Sequence, residues 1–172
     1  MDLLAEIRGA FPVTPCPGDR VLSDCWCDEC AWAVHRLQGK SWKQVTVEDF
    51  NASEGGRLSN QSFRYYLPAM LLFAVRYPDE VHFASEITSR FVVIAPANHD
   101  QIQRVQQSLN GLSNRQRTTL VCFFDWLREQ EWQSSLLIDA ATDAINGSEV
   151  VPVDSAALLK EYQARCDRQN NS

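Results

Sequence analysis

The run Phe63-Arg64-Tyr65-Tyr66-Leu67-Pro68-Ala69-Met70-Leu71-Leu72-Phe73-Ala74-Val75 constrains this chain more than any other part of it. As a helix it is apolar on nearly every side, with single arginines near its ends, so it has no face to offer to water and must be enclosed. Its most apolar stretch, residues 67–75, is nine residues long, far short of the roughly 20 needed to cross a bilayer, so the enclosure is protein and not lipid. Pro68 donates no backbone hydrogen bond and its ring crowds the carbonyl four residues earlier. The central helix, about residues 62–77, is therefore expected either to kink at Pro68 or to restart with Pro68 in its first turn. The Arg64 carbonyl loses its usual partner, and the hydroxyls of Tyr65 and Tyr66 are candidates to meet it if buried.

Amphipathic segments on both sides supply the enclosure. Asp2 can cap a short helix bearing Leu3, Leu4, Ile7 and Phe11, which the three prolines of residues 12–18 end. Ser23 or Asp24 can start a helix of about 25–38 with Trp26, Cys30, Val34 and Leu37 on one face and Gly39 as its stop. Thr46-Val47-Glu48-Asp49 has the form of a capping box with the short Asp in place of Glu or Gln, enough for a brief turn before Ser53-Glu54-Gly55-Gly56 breaks the chain. Val81, Ala84, Ile87 and Phe91 step along a further face, and Phe91-Val92-Val93-Ile94 reads equally as helix end or extended chain before Pro96.

Asn98 or Asp100 can cap residues 102–109, and Asn110-Gly111 stops them. Ser113 and Gln116 form a capping box for a helix whose face of Leu120, Phe123, Phe124 and Leu127 is expected against the central helix, with Arg117, Arg128 and Glu129 on its wet side. Trp132, Leu136, Leu137, Ala140, Ala144 and Ile145 mark another helix ended by Asn146-Gly147. Val150-Val151-Pro152-Val153 is an extended link, and Asp154 caps the last helix. No repeat period is present. The expected fold is all-α: a single-domain irregular bundle of six to eight helices over residues 1–172, with a short disordered tail at about 168–172.

Charge narrows the function. The net charge is -6, and the ends hold the excess: residues 1–30 carry six acids and two bases, and residues 131–172 seven acids and three bases. Residues 101–130 lean the other way, with four arginines against two acids. Phosphate-backbone binding needs clustered positive charge, so nucleic acid is not an expected partner. The first residues hold two acids and no uninterrupted apolar core, which argues against export. With four of six cysteines inside the first thirty residues, reduced thiols in a cytoplasmic protein are expected.

Several of these elements together resemble an uncharacterised family of small bacterial proteins, a domain of unknown function. They are the Phe63-Arg64-Tyr65-Tyr66-Leu67-Pro68-Ala69 segment, Cys25-Trp26-Cys27-Asp28-Glu29-Cys30, Gly39-Lys40-Ser41-Trp42 and Leu112-Ser113-Asn114-Arg115-Gln116. The similarity covers roughly residues 1–130. It implies a bacterial cytoplasmic protein and brings no activity or site residues with it.

Cys25-x-Cys27-x2-Cys30, with His35 after it and Cys16 before, is the densest set of soft ligands. Structural zinc favours four such ligands in a tetrahedron. Against zinc, the thiols are compressed into six residues, and on one continuous helix Cys27 and Cys30 share a side that Cys25 does not. Cys27 and Cys30 also have the spacing of a redox pair, but the flanking βαβ pattern is missing and Asp28 and Glu29 disfavour a thiolate. Asp24, Asp28 and Glu29 make an acidic patch, the candidate partner-binding surface, although a solvated helix start favoured by the dipole explains their position without any partner. His35, His82 and His99 are scattered, no serine sits in a nucleophile elbow, and Gly55-Gly56 lacks the lysine of a phosphate loop, so no catalytic motif is found. The leading expectation is thus a non-enzymatic protein-binding module whose acidic surface takes a basic partner, such as a toxin that it neutralises. The alternatives are a zinc-stabilised domain using Cys25, Cys27, Cys30 and His35 or Cys16, and an enzyme of unknown type.

Overall fold

The computed structural model describes residues 2–18, 22–23, 25, 27–50, 58–78, 81–131 and 133–170. The elements in order are α1 (Leu3–Ala10), α2 (Asp28–Leu37), a 3-10 turn (Val47–Asp49), α3 (Asn60–Arg76), α4 (Val81–Ser89), α5 (His99–Leu109), α6 (Asn114–Glu129), α7 (Ser135–Ile145) and α8 (Ser155–Asn170). The chain is one all-α domain, and its described residues form eight α-helices and no strand. Also among those residues, no helix is long and apolar enough to cross a membrane.

The middle of the fold is α3, and from Tyr66 through Ala74 every residue of it is buried. It passes through Pro68 as one continuous helix, so the restart expected as one option does not occur. The tyrosine hydroxyls do not turn to the Arg64 carbonyl. Tyr65 Oη donates to the Thr14 carbonyl at 3.1 Å, and Tyr66 Oη lies 3.0 Å from the carbonyls of both Leu37 and Lys40. Their reach is outward because each ring leaves the helix axis and its hydroxyl lands on the layer packed outside, where loop carbonyls need donors.

Helices α1, α4 and α5 lie directly on α3, while α7 touches α4. Instead of packing chiefly on the central helix, α6 rests mainly against α1 and α7. Its Phe124 meets the central helix indirectly, by an edge-to-face contact with Phe91 at 6.2 Å, which in turn meets Phe63 of α3 at 5.9 Å. A second aromatic knot forms where Phe50, from the chain after the 3-10 turn, inserts between α3 and α4, with its ring 6.0 Å from Tyr66, 6.0 Å from Phe73 and 6.2 Å from Phe83. Fully burying one such side chain contributes roughly 1.5–3 kcal/mol, and edge-to-face pairing adds to it.

Caps set most boundaries. Asp2, Asn98 and Ser113 accept from backbone N–H groups three residues on, and Asn98 and Ser113 form reciprocal capping boxes with Gln101 and Gln116. Gly111 and Gly147 adopt φ of 85° and 93°, the left-handed region that stops a helix without the strain a side chain would add. Asp154 accepts from Ala156 N–H at 2.9 Å at the start of α8. That helix runs regularly into the stretch expected as a disordered tail, up to Asn170, and residues 171–172 lie outside the described residues.

Other expectations shift. Helix α2 begins at Asp28, three residues later than the sequence suggests. Ser134 caps α7, whose buried face is Ile138, Ala141, Ala144 and Ile145, while Leu136, Leu137 and Ala140 are only half-buried. Trp132 lies outside the described residues, as do residues 51–57 and the glycine pair among them. Residues 92–95 leave the helix and run beside the link at 150–153, with Val153 N–H donating to the Val93 carbonyl and Ala95 N–H to the Val153 carbonyl, each at 2.8 Å. Arg117 is not on a wet side: its guanidinium donates to the carbonyls of Ile145 at 2.7 Å and Leu109 at 2.9 Å.

Phe124 is fully buried and Leu159 is exposed. Phe124→Ala should lower unfolding stability by about 3–5 kcal/mol, whereas Leu159→Ala should change it by less than about 0.5 kcal/mol. Urea midpoints of the two variants against the parent chain test the pair.

Candidate metal centre

Three cysteines meet at the start of α2. The late start of that helix is what allows it: Cys27 is the N-cap residue, in extended conformation, and Cys25 precedes it outside the helix. The Ser23 hydroxyl accepts from Cys25 N–H at 3.1 Å, and the Cys25 sulfur accepts from Cys27 N–H at 3.4 Å. Cys30, one turn into α2, stands on the same side as Cys27. The Sγ atoms of Cys25, Cys27 and Cys30 consequently all lie within 4.8 Å of one another. The difficulty posed by a single continuous helix is removed, because only Cys30 belongs to it.

The cluster is asymmetric. Cys30 is buried, at 4% exposure, whereas Cys25 and Cys27 are exposed. A hydrogen bond from Ser23 lowers the Cys30 pKa, but burial and the neighbouring thiols of Cys27 and Cys25 outweigh it and push the thiol above its ordinary value. The neighbouring sulfurs thus penalise the Cys30 thiolate. All six cysteines stand as thiols rather than disulfides.

The other proposed ligands are placed elsewhere. His35 is exposed in the last turn of α2, five residues beyond Cys30, which carries it about 7.5 Å along the axis and onto another face. Cys16 pairs with the Tyr66 hydroxyl at 3.3 Å and is not part of the thiol group. Of the acidic patch, Asp28 is exposed in the first turn of α2, where the helix dipole favours a carboxylate. Asp24 and the side chain of Glu29 lie outside the described residues.

The fastening at the far end of α2 went unread in the sequence. The Tyr66 hydroxyl holds the Leu37 and Lys40 carbonyls, and Lys40 Nζ pairs with Asp49 Oδ1 at 2.6 Å while Asp49 Oδ2 accepts from Thr46 N–H at 2.9 Å. Trp42 Nε1 donates to the Pro12 carbonyl at 3.5 Å. The nine-residue separation of Lys40 and Asp49 carried no sequence signal, since it matches no helical or hairpin spacing. Ser23 did carry one: a serine two residues before a turn residue can close a local side-chain turn as readily as it caps a helix.

Burial pushes the Asp49 carboxyl up, but hydrogen bonds from Lys40 and from Thr46 N–H, with the charges of Lys40 and Arg36, hold it below its ordinary value. A carboxylate with a lowered folded-state pKa stabilises the fold fully above the unfolded pKa of about 3.9, and that stability is lost as the pH falls through the lower folded value. Asp49→Asn should therefore destabilise the chain at neutral pH and flatten part of its acid limb. Urea midpoints measured from neutral pH down to strong acid check this.

Comparison with known proteins adds the family and no activity. No curated protein matches the chain, and no solved structure matches it. A family model matches residues 28–146, which takes in α2 through α7 and Cys30 but leaves Cys25, Cys27, α1 and α8 outside. The match covers well over half of the sequence, and the chain belongs to the Family of unknown function (DUF6714).

Proposed function

We propose that this chain is a small metal-binding domain in which the thiolates of Cys25, Cys27 and Cys30 together hold one soft cation. The mutual approach of the three sulfurs to within 4.8 Å carries the reading. At a metal–sulfur distance of about 2.3 Å, three sulfurs around one ion stand roughly 4 Å apart, so small side-chain rotations suffice to close on it. The cation also offsets the raised pKa of Cys30, whose thiolate, disfavoured beside its neighbouring sulfurs, gains a positive centre. Soft thiolates select soft metals over magnesium or calcium.

Binding displaces thiol protons, so affinity should rise with pH. The full-length chain, reduced and then dialysed with a soft metal, should retain one equivalent by elemental analysis. Cys25→Ser with Cys27→Ser should retain none, and both residues are exposed, so the double variant should fold. A chelator should lower the melting temperature of the loaded chain, since a ligand of the folded state stabilises it by mass action. A chain that retains no metal under these conditions would sink the proposal.

A second reading, a non-enzymatic protein-binding module, is favoured by the C-terminal segment. Val151, Leu159 and Tyr162 are 66%, 66% and 65% exposed, and Glu149, Asp154 and Asp167 beside them in sequence are exposed too. Apolar anchors in a C-terminal part, residues 131–172, that carries seven acids against three bases suit a basic protein such as a toxin that the chain neutralises. In a host carrying such a toxin gene beside this one, co-expression should protect the cell, and Leu159→Ser with Tyr162→Ser should abolish protection without changing the urea midpoint. Protection untouched by the double variant rejects that surface.

A further inference from the structure

A recess of about 250 Å³, none of whose lining residues belongs to the thiol group, lies between the end of α4, the extended residues that follow it and α5. Sites for drug-sized ligands run to roughly 300–1,000 Å³, so this one suits a smaller molecule. Val92, Val93 and Val105 give it apolar walls, and Arg90, Gln101 and Arg104 bring polar groups to the same space.

The walls are held in place before any ligand arrives. Val153 N–H donates to the Val93 carbonyl and Ala95 N–H to the Val153 carbonyl, each at 2.8 Å, which pins the extended side. Arg90 is buried, with its guanidinium donating to the Leu58 carbonyl at 2.6 Å and stacked over the Phe63 ring at 4.8 Å. It is a fixed cationic wall. On α5, Gln101 Oε1 accepts from Asn98 N–H at 2.9 Å in the capping box, so the group that side chain can offer a ligand is its NH2, a donor. Arg104 is exposed and, three residues on from Gln101, shares its helix face. Its planar fork of N–H groups matches a carboxylate in bidentate fashion.

The geometry points to a binding site for a short-chain apolar carboxylate, its head on Arg104 and Gln101 and its tail against Val92, Val93 and Val105. Donors fix the orientation of the head, and the branched apolar side chains reward a hydrocarbon tail by taking it out of water. Free phosphate could also pair with Arg104, but it would leave the three valines facing its hydration shell, so the apolar walls favour the carboxylate. Because the recess is already braced by Val153 and Leu58, little of the binding free energy is lost to ordering it.

The test titrates 3-methylbutanoate into the full-length chain and follows the amide chemical shifts, with 3-methylbutanamide, acetate and inorganic phosphate as comparisons. Saturable shifts centred on Val92, Val93 and Val105 are expected. The amide, which lacks the charge, and acetate, which lacks the tail, should each bind about tenfold more weakly or worse, and phosphate no more tightly than acetate. Arg104→Gln should weaken 3-methylbutanoate by about tenfold or more and leave the urea midpoint unchanged, since the side chain is exposed. An amide that binds as well as the acid, or an Arg104→Gln chain that binds as well as the parent, overturns the carboxylate head. Acetate or phosphate binding as tightly as 3-methylbutanoate overturns the apolar tail. The absence of saturable shifts at the recess with millimolar probe overturns the site itself.

Discussion

Everything in this fold answers to a helix with no wet face. Because Tyr66 through Ala74 are all buried, α3 can exist only inside a complete shell, and the shell has to be assembled from segments far apart in the chain. α1 comes from one end, α4 and α5 from the middle, and the chain after the 3-10 turn drives Phe50 into the remaining gap. Hydrophobic enclosure is non-directional, so it dictates that the shell closes without dictating which piece covers which side. Direction comes from polar groups at the edges of the core: the two tyrosine hydroxyls, and the arginines.

Several arginines supply that direction by donating to main-chain carbonyls of other elements. Arg64 donates to the carbonyls of Gln107 and Asn110 at the end of α5, Arg90 to that of Leu58, Arg117 to those of Leu109 and Ile145, and Arg165 to that of Gln133. Helix C-termini and the loops between helices leave carbonyls without intrahelical partners, and a planar guanidinium with several donors serves two at once. Arg90 additionally stacks over the Phe63 ring at 4.8 Å. These side chains are fastenings between elements, and their charge is already committed to main-chain oxygens.

How much of this was legible depended on the range of the interaction. Local signals held: the capping boxes of Asn98 with Gln101 and Ser113 with Gln116, the stops at Gly111 and Gly147, and the 3-10 turn at Val47–Asp49 all stem from residues within four positions of one another. Pairings across the chain did not. Nothing in the neighbourhood of Tyr66 says that its hydroxyl meets carbonyls at Leu37 and Lys40, and nothing near Arg117 says that it turns inward. The thiol cluster falls between these cases. Its residues were plain in the sequence, but whether they converge hinged on α2 starting at Asp28 rather than near Cys25. At that boundary the Cys25 and Cys27 N–H groups donate to the Ser23 hydroxyl and the Cys25 sulfur, and hydrophobic periodicity, which reads only the apolar face, is blind to such bonds.

The guanidinium of Arg117 has one more implication. By gripping the last carbonyls of α5 and α7 together, it makes a single side chain the common lock on two helix ends that are remote in sequence. Neither end can fray alone without surrendering a charge-assisted bond that also secures the other, so the two should open as one cooperative unit. Lysine, a point charge on a flexible stem, could satisfy one of those oxygens but not hold both in register.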